Sequence, residues 1–204
     1  LIARGGKIVH FEAFGSQDAE SKAPMKKDTI FRIASMTKPI TSVAIMMLFE
    51  EGRLFLTDPV SKFIPAFKSV MVMEGAGADA KPVAARRAIT IRDLLTHRSG
   101  LTYGFLNGGA VGGGYRKNGV TDGLTSTTMT LEEGINKLAA EPLVSQPGER
   151  FNYSLSTDVL GRVVEVASGQ TLFQFEKQRL FDPLGMSETA YYVADESKWS
   201  RIAQ

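Results

Sequence analysis

The chain has 204 residues, 43% hydrophobic and 23% charged, so it carries enough apolar matter for a core and is too hydrophobic to be a disordered segment. Its 24 basic and 22 acidic residues leave a net charge of +2 with the basic residues scattered, which argues against a nucleic-acid footprint. The absence of cysteine removes disulfides, thiolate metal sites and cysteine nucleophiles; with two histidines and no His-Glu-x-x-His spacing, neither a metal nor a cofactor is expected.

Residues 1–15 predict a β-hairpin around Arg4-Gly5-Gly6-Lys7, with Ile8, His10, Glu12 and Phe14 on one face. No signal-peptide pattern opens the chain, so a cytoplasmic location is the expectation; the missing initial methionine leaves the periplasm open. A polar loop then leads to Phe31–Phe49, an almost continuously apolar run with Ser35 and Lys38 at its mouth. Pro39 lacks an N–H and is tolerated near a helix start, so the helix should begin close to Ser35 and end before Gly52. Apolar on all sides, it predicts a helix buried all round; the run is too short and too interrupted for a membrane span.

Ser35 and Lys38 are three residues apart, one helical turn, and so share a face. A serine hydroxyl needs a base to become a nucleophile, and lysine serves only when neutral; desolvation at a buried helix end would push Lys38 that way. The free N–H groups of the helix start favour a developing negative charge. A Ser-x-x-Lys also arises about once by chance in ~200 residues, so on spacing alone both readings stand.

Asp58-Pro59 predicts a short helix stopped by Pro65, and 71–88 reads as a surface excursion. Thr90 with Asp93 three residues on marks a capping box for a short helix ending at Arg98-Ser99-Gly100. His97 could be imagined as a base, but a histidine in a last turn more often meets free carbonyls there. The glycine-rich stretch 103–129 fits no nucleotide-binding spacing and reads as a lid or pocket wall. Helices are then expected from Thr130, from about Ser156 to Ala167 closing at Gly169, and from Thr171, with a turn at 147–150. On the residues alone Tyr153 is an ordinary core aromatic with a bonded hydroxyl.

Four stretches, Phe31–Lys38, Leu94–Leu101, Pro147–Ser154 and Asp182–Met186, together resemble the serine β-lactamase and penicillin-binding-protein-like family in order and spacing. The likeness covers essentially the whole chain and is closest to the class C branch and its family VIII carboxylesterase relatives. It implies an α+β, β-lactamase-like fold, a helical subdomain packed on an antiparallel sheet. Residues 1–30 would supply the first sheet hairpin and 31–204 the mainly helical part. It implies Ser35 as acylated nucleophile, Lys38 as its proton partner and Tyr153 as the proton shuttle to the leaving group. The implied activity is serine hydrolysis of carboxylic esters, probably short-chain, through an acyl-enzyme. A β-lactamase, a D-alanyl-D-alanine carboxypeptidase and a non-catalytic ligand-binding module are the alternatives. Where the lactamase branch reads Tyr-x-Asn, Leu155 stands here, and it cannot hydrogen-bond an amide substrate, which favours esters. The family's Lys-Thr-Gly strand, source of the second oxyanion N–H, lies outside these residues. The implied partners are a small ester or β-lactam substrate and the remaining C-terminal polypeptide, in cis or as a second chain.

Overall fold

The structure, a computed structural model, describes residues 1–75, 77–123 and 128–204. They fall into two units, 1–37 with 188–204, and 38–187.

In the first unit β1 (Ile2–Arg4) and β2 (Lys7–His10) pair antiparallel, with Arg4 opposite Lys7. Gly5 and Gly6 sit at φ +55° and +72°, the two left-handed positions that a two-residue hairpin turn demands. The predicted hairpin is present, but its strands stop at His10, and every residue of both is exposed. Segment 16–30 lies beside the chain's last residues. Ile30 N–H donates to Arg201 O at 2.8 Å, Ala203 N–H to Ile30 O at 2.9 Å, and Gln17 Nε2 to Ser200 O at 2.8 Å. The Arg201 guanidinium ties Asp28 O to both carboxylate oxygens of Glu188.

The second unit opens with α1 (Thr37–Glu50), Pro39 in its first turn as anticipated. Its buried residues, Thr41, Ala44, Ile45 and Leu48, form a single stripe at i, i+3, i+4 and i+7. Val43, Met46 and Phe49 on the other side are 46%, 40% and 38% exposed, so the expectation of burial all round is corrected. The residues described here cover one face of this apolar helix.

Pro59 precedes one 3-10 turn (Val60–Lys62), and Pro65 starts another (Pro65–Ser69) rather than merely ending the first. The expected excursion at 71–88 is instead an antiparallel hairpin, β3 (Met71–Glu74) with β4 (Lys81–Ala84). Leu143 adds to its free edge: Met73 N–H donates to Leu143 O and Leu143 N–H to Met71 O, both at 2.8 Å, burying Val72.

α2 (Ile91–Leu95) carries the predicted capping box, Thr90 Oγ1 accepting from Asp93 N–H at 3.2 Å while Asp93 Oδ2 accepts from Thr90 N–H at 2.9 Å. Arg87 grips the same carboxylate with both guanidinium nitrogens, at 2.6 and 3.0 Å. In the glycine-rich stretch, 110–117 form a helix, α3 (Ala110–Lys117), anchored by buried Val111 and Tyr115; the loop reading fails there, and residues 124–127 of that stretch lie outside the described residues. α4 (Leu131–Ala139), α5 (Ser156–Ser168, ended by left-handed Gly169) and α6 (Leu172–Glu176) follow as expected, with capping boxes at Thr130 and Thr171. One core joins these elements: Ile45 and Leu48 of α1, Leu94 of α2, Leu138 of α4 and Leu160 and Val163 of α5 are all at most 1% exposed. Thr41 Oγ1 donates to the buried Glu176 at 3.1 Å, fixing α1 against α6. Among the described residues no helix is long and apolar enough to cross a membrane.

Candidate active site

The chain enters α1 through a 3-10 turn, Ala34–Met36, which carries Ser35 exposed in the first unit. Ala34 has φ +44°, a left-handed backbone that non-glycine residues adopt at a cost of order 1–3 kcal/mol and that clusters at functional sites. Met36 N–H donates to Ile33 O at 2.9 Å, so the serine is presented on a hydrogen-bonded turn rather than on an open loop.

Lys38 and Tyr153 come together in the second unit. Lys38 Nζ lies 4.6 Å from the centre of the Tyr153 ring and 5.8 Å from that of Tyr103. The two phenol rings are 5.5 Å apart. Burial draws the Lys38 ammonium down, but hydrogen bonds to the Tyr153 and Tyr103 hydroxyls outweigh it, and the pKa ends above that of an ordinary lysine. The push of desolvation toward a neutral lysine is thus offset here by the two hydroxyls, and the balance favours the ammonium. Tyr103 shifts upward, through burial first and the nearby Asp158 charge second, against the pull of Lys38. Asp158, in the first turn of α5, is pushed up to about 6 by burial, with Lys38 partly offsetting it.

Tyr153 is fixed from the sides. The His97 ring packs against it at 4.9 Å, and Phe151 meets His97 edge-on at 5.8 Å. Asn152 between them donates its N–H to His97 O at 2.7 Å and its side-chain amide to Leu101 O. His97 itself stands at φ +52°, past the end of α2. Among the described residues the His97 ring bonds no helix carbonyl, contrary to expectation; its Nδ1 is 3.3 Å from Ser154 Oγ. Burial, then the Lys38 charge, holds its pKa below the ordinary histidine value.

Leu155 is 3% exposed, its side chain in the core at the start of α5. The expectation attached to this position is the lack of an amide that could hydrogen-bond a substrate, and a buried leucine supplies none. Sequence reasoning passed over Tyr103 and Asp158 and set His97 aside. The one available signal was that His97 and Tyr153 both fall within family-like motifs. Among the described residues no cluster of His, Asp and Glu is arranged to hold a metal.

Compared with known proteins, residues 1–199 match the family model described as Beta-lactamase. Esterase EstB of Burkholderia gladioli is 38% identical over 200 residues, 98% of this chain and 48% of that protein. Lovastatin esterase of Penicillium rubens is 32% identical over 191 residues, 92% of this chain and 46% of that protein. The structure of EstCE1, described as a hydrolase with promiscuous acyltransferase activity, matches with a TM-score of 0.83 at 36% identity, over 98% of this chain and 49% of its own. The chain thus spans about half the length of the relatives it matches.

Proposed function

Because the chain belongs to the Beta-lactamase family, we propose that it carries the acylation machinery of a serine hydrolase acting on carboxylic esters, short-chain ones foremost, through an acyl-enzyme. Ser35 is the nucleophile, and Lys38 and Tyr153 are its proton partners. The observation that carries this reading is the Lys38 ammonium held 4.6 Å from the Tyr153 ring. A cation there favours the phenolate, which accepts the Ser35 hydroxyl proton as Oγ bonds to the ester carbonyl carbon. When the tetrahedral adduct collapses, the ester C–O bond breaks and the alcohol leaves with the proton returned by Tyr153. A water then repeats the sequence on the acyl-enzyme, releasing the acid. The raised pKa of Lys38 favours its charged form in the resting site.

Esters are preferred to β-lactams on two supports: the relatives named as esterases, and Leu155 buried where the lactamase branch places an asparagine. The second oxyanion N–H and the strands that cover the β1–β2 hairpin come from the polypeptide following residue 204, in cis or as a second chain. Support for this comes from the exposed Ile2, Ile8, Val9 and Phe14 and from relatives about twice as long. The test is to expose the protein, with and without that further polypeptide, to a serine-directed phosphonate, a p-nitrophenyl butyrate and a chromogenic cephalosporin. One adduct on the Ser35 peptide, lost in Ser35→Ala, with ester turnover exceeding cephalosporin turnover, is the expected result. Labelling at another serine overturns the assignment.

A further inference from the structure

Behind Tyr153 lies a row of three serine hydroxyls, Ser154, Ser156 and Ser99, each wholly buried. Ser154 Oγ and Ser156 Oγ are 2.8 Å apart, and so are Ser156 Oγ and Ser99 Oγ. Ser99 Oγ also accepts from Leu101 N–H at 3.1 Å, and the other end of the row meets His97 Nδ1 at 3.3 Å. Each hydroxyl has one hydrogen to place, and the row can run in either of two directions. If Ser99 donates to Ser156, Ser156 to Ser154 and Ser154 to Nδ1, every hydrogen has an acceptor. In the reverse direction the Ser99 hydrogen has none among the described residues, which in a buried site costs about 1–3 kcal/mol. The first arrangement requires Nδ1 to be a bare acceptor.

We propose that His97 is a positioning residue for Tyr153, its imidazole held neutral as the Nε2–H tautomer by the buried Ser99–Ser156–Ser154 chain and packed against the phenol that carries the proton. This rests on the role given to Tyr153 above. An imidazolium would reverse the chain and set a second cation beside Lys38, competing with it for the phenol. The groups around His97 bear this out. Lys38 faces it from α1, Tyr153 and Phe151 from the segment before α5, and Tyr103 reaches Tyr153 from the segment after α2. Asp158 on α5 acts on Lys38 and Tyr103. Arg98, next in sequence, turns its guanidinium away to Gly148 O and Glu149 O. Among the described residues no carboxylate is paired with the His97 ring to stabilise its charged form.

The test combines long-range ¹H–¹⁵N correlation spectra of the imidazoles across pH 4–9, His10→Gln providing the assignment, with the pH profile of ester turnover. His97 should show a protonated Nε2 and bare Nδ1 at pH 7 and titrate below the ordinary histidine value of about 6.5. Ser154→Ala removes the donor to Nδ1, so the His97 midpoint should rise and the acid limb of kcat should move up with it, KM changing less than about two-fold. His97→Gln should lower kcat about ten- to a hundred-fold and remove the part of the acid limb that follows the His97 midpoint. A protonated Nδ1 at pH 7 overturns the proposal, as does an acid limb that stays put when the His97 midpoint moves. Should Ser35 fail to label, the tautomer is still read from the spectra, so loss of the hydrolase reading and loss of the serine chain are separate results.

Discussion

Replacing Gly100 with alanine isolates the backbone geometry on which the His97 turn depends. Gly100 has φ +85°, and an added Cβ would fall far inside contact distance of Ser145 O and 3.1 Å from Leu143 Cβ. The left-handed backbone costs an alanine roughly 1–2 kcal/mol. Relieving the overlap means moving main chain rather than a flexible side-chain tip, and that chain is pinned: Val144 N–H donates to Gly100 O at 2.8 Å, and Leu143 is bonded to β3 on both sides. Overpacking of that kind adds roughly 1–3 kcal/mol, giving about 3 kcal/mol in all. With a urea slope of about 2–3 kcal/mol per molar, the midpoint of unfolding by circular dichroism should fall by about 1 M. Gly113→Ala is the control: Gly113 lies inside α3 with open space where its Cβ would go, and alanine should add about 0.5–1 kcal/mol. A Gly100→Ala midpoint within about 0.3 M of wild type would refute the argument, since the steric and conformational terms would both have to vanish.

Lys38→Ala and Tyr153→Phe should each slow phosphonate labelling and ester acylation by ~10²–10⁴, with unchanged circular dichroism spectra, because each removes a positioned proton partner and little core volume. Leu155→Asn should cost about 3 kcal/mol or more by placing an amide in the apolar core, and the measurement that checks it is the urea midpoint; a variant as stable as wild type would show that the side chain reaches solvent. Arg87→Gln leaves the buried Asp93 carboxylate with Thr90 alone and should cost about 1–2 kcal/mol at pH 7, reduced because the guanidinium is half exposed. Burial would raise the Asp93 pKa, but Arg87 and Thr90 outweigh it and hold it below the ordinary value, so the pair's contribution is full above about pH 4 and lost as pH falls through the depressed value. Wild type and variant should therefore converge in stability toward pH 2, and a gap that widens on acidification would reverse the sign.

The features that could be read from the sequence were those encoded within a few residues. Thr90, Thr130 and Thr171 each meet an acceptor side chain three positions on, and each starts a helix where expected. Gly169 ends α5 for an equally local reason. The β3–β4 hairpin was missed because Pro82 and a short alternation argue weakly for a strand; what holds it is Leu143, about seventy positions away. α3 was missed because three adjacent glycines oppose a helix, and long-range burial of Val111 and Tyr115 overrides that preference. The same division holds at the site. Ser35, Lys38 and Tyr153 were legible as motif members, while the helix alone showed only the burial of Lys38, since the two hydroxyls that offset it belong to residues 103 and 153. Burial was visible from the helix; its compensation was not.

The first unit joins residues 1–37 to 188–204, with Gln17 and Ile30 bonded to residues 200–204. During synthesis segment 16–30 leaves the ribosome roughly 170 residues before its partners exist, about ten seconds or more at cellular elongation rates. Closing a loop of that length from a disordered chain carries an entropic penalty of about 4–5 kcal/mol. Folding of 38–187 beforehand would shorten the free part of that loop and lower the penalty, which favours its formation before 16–30 and 200–204 pair. A chain stalled or cleaved shortly before Glu188 would keep segment 16–30 without the residues that bond to it, so the first unit can close only after 188–204 have been made.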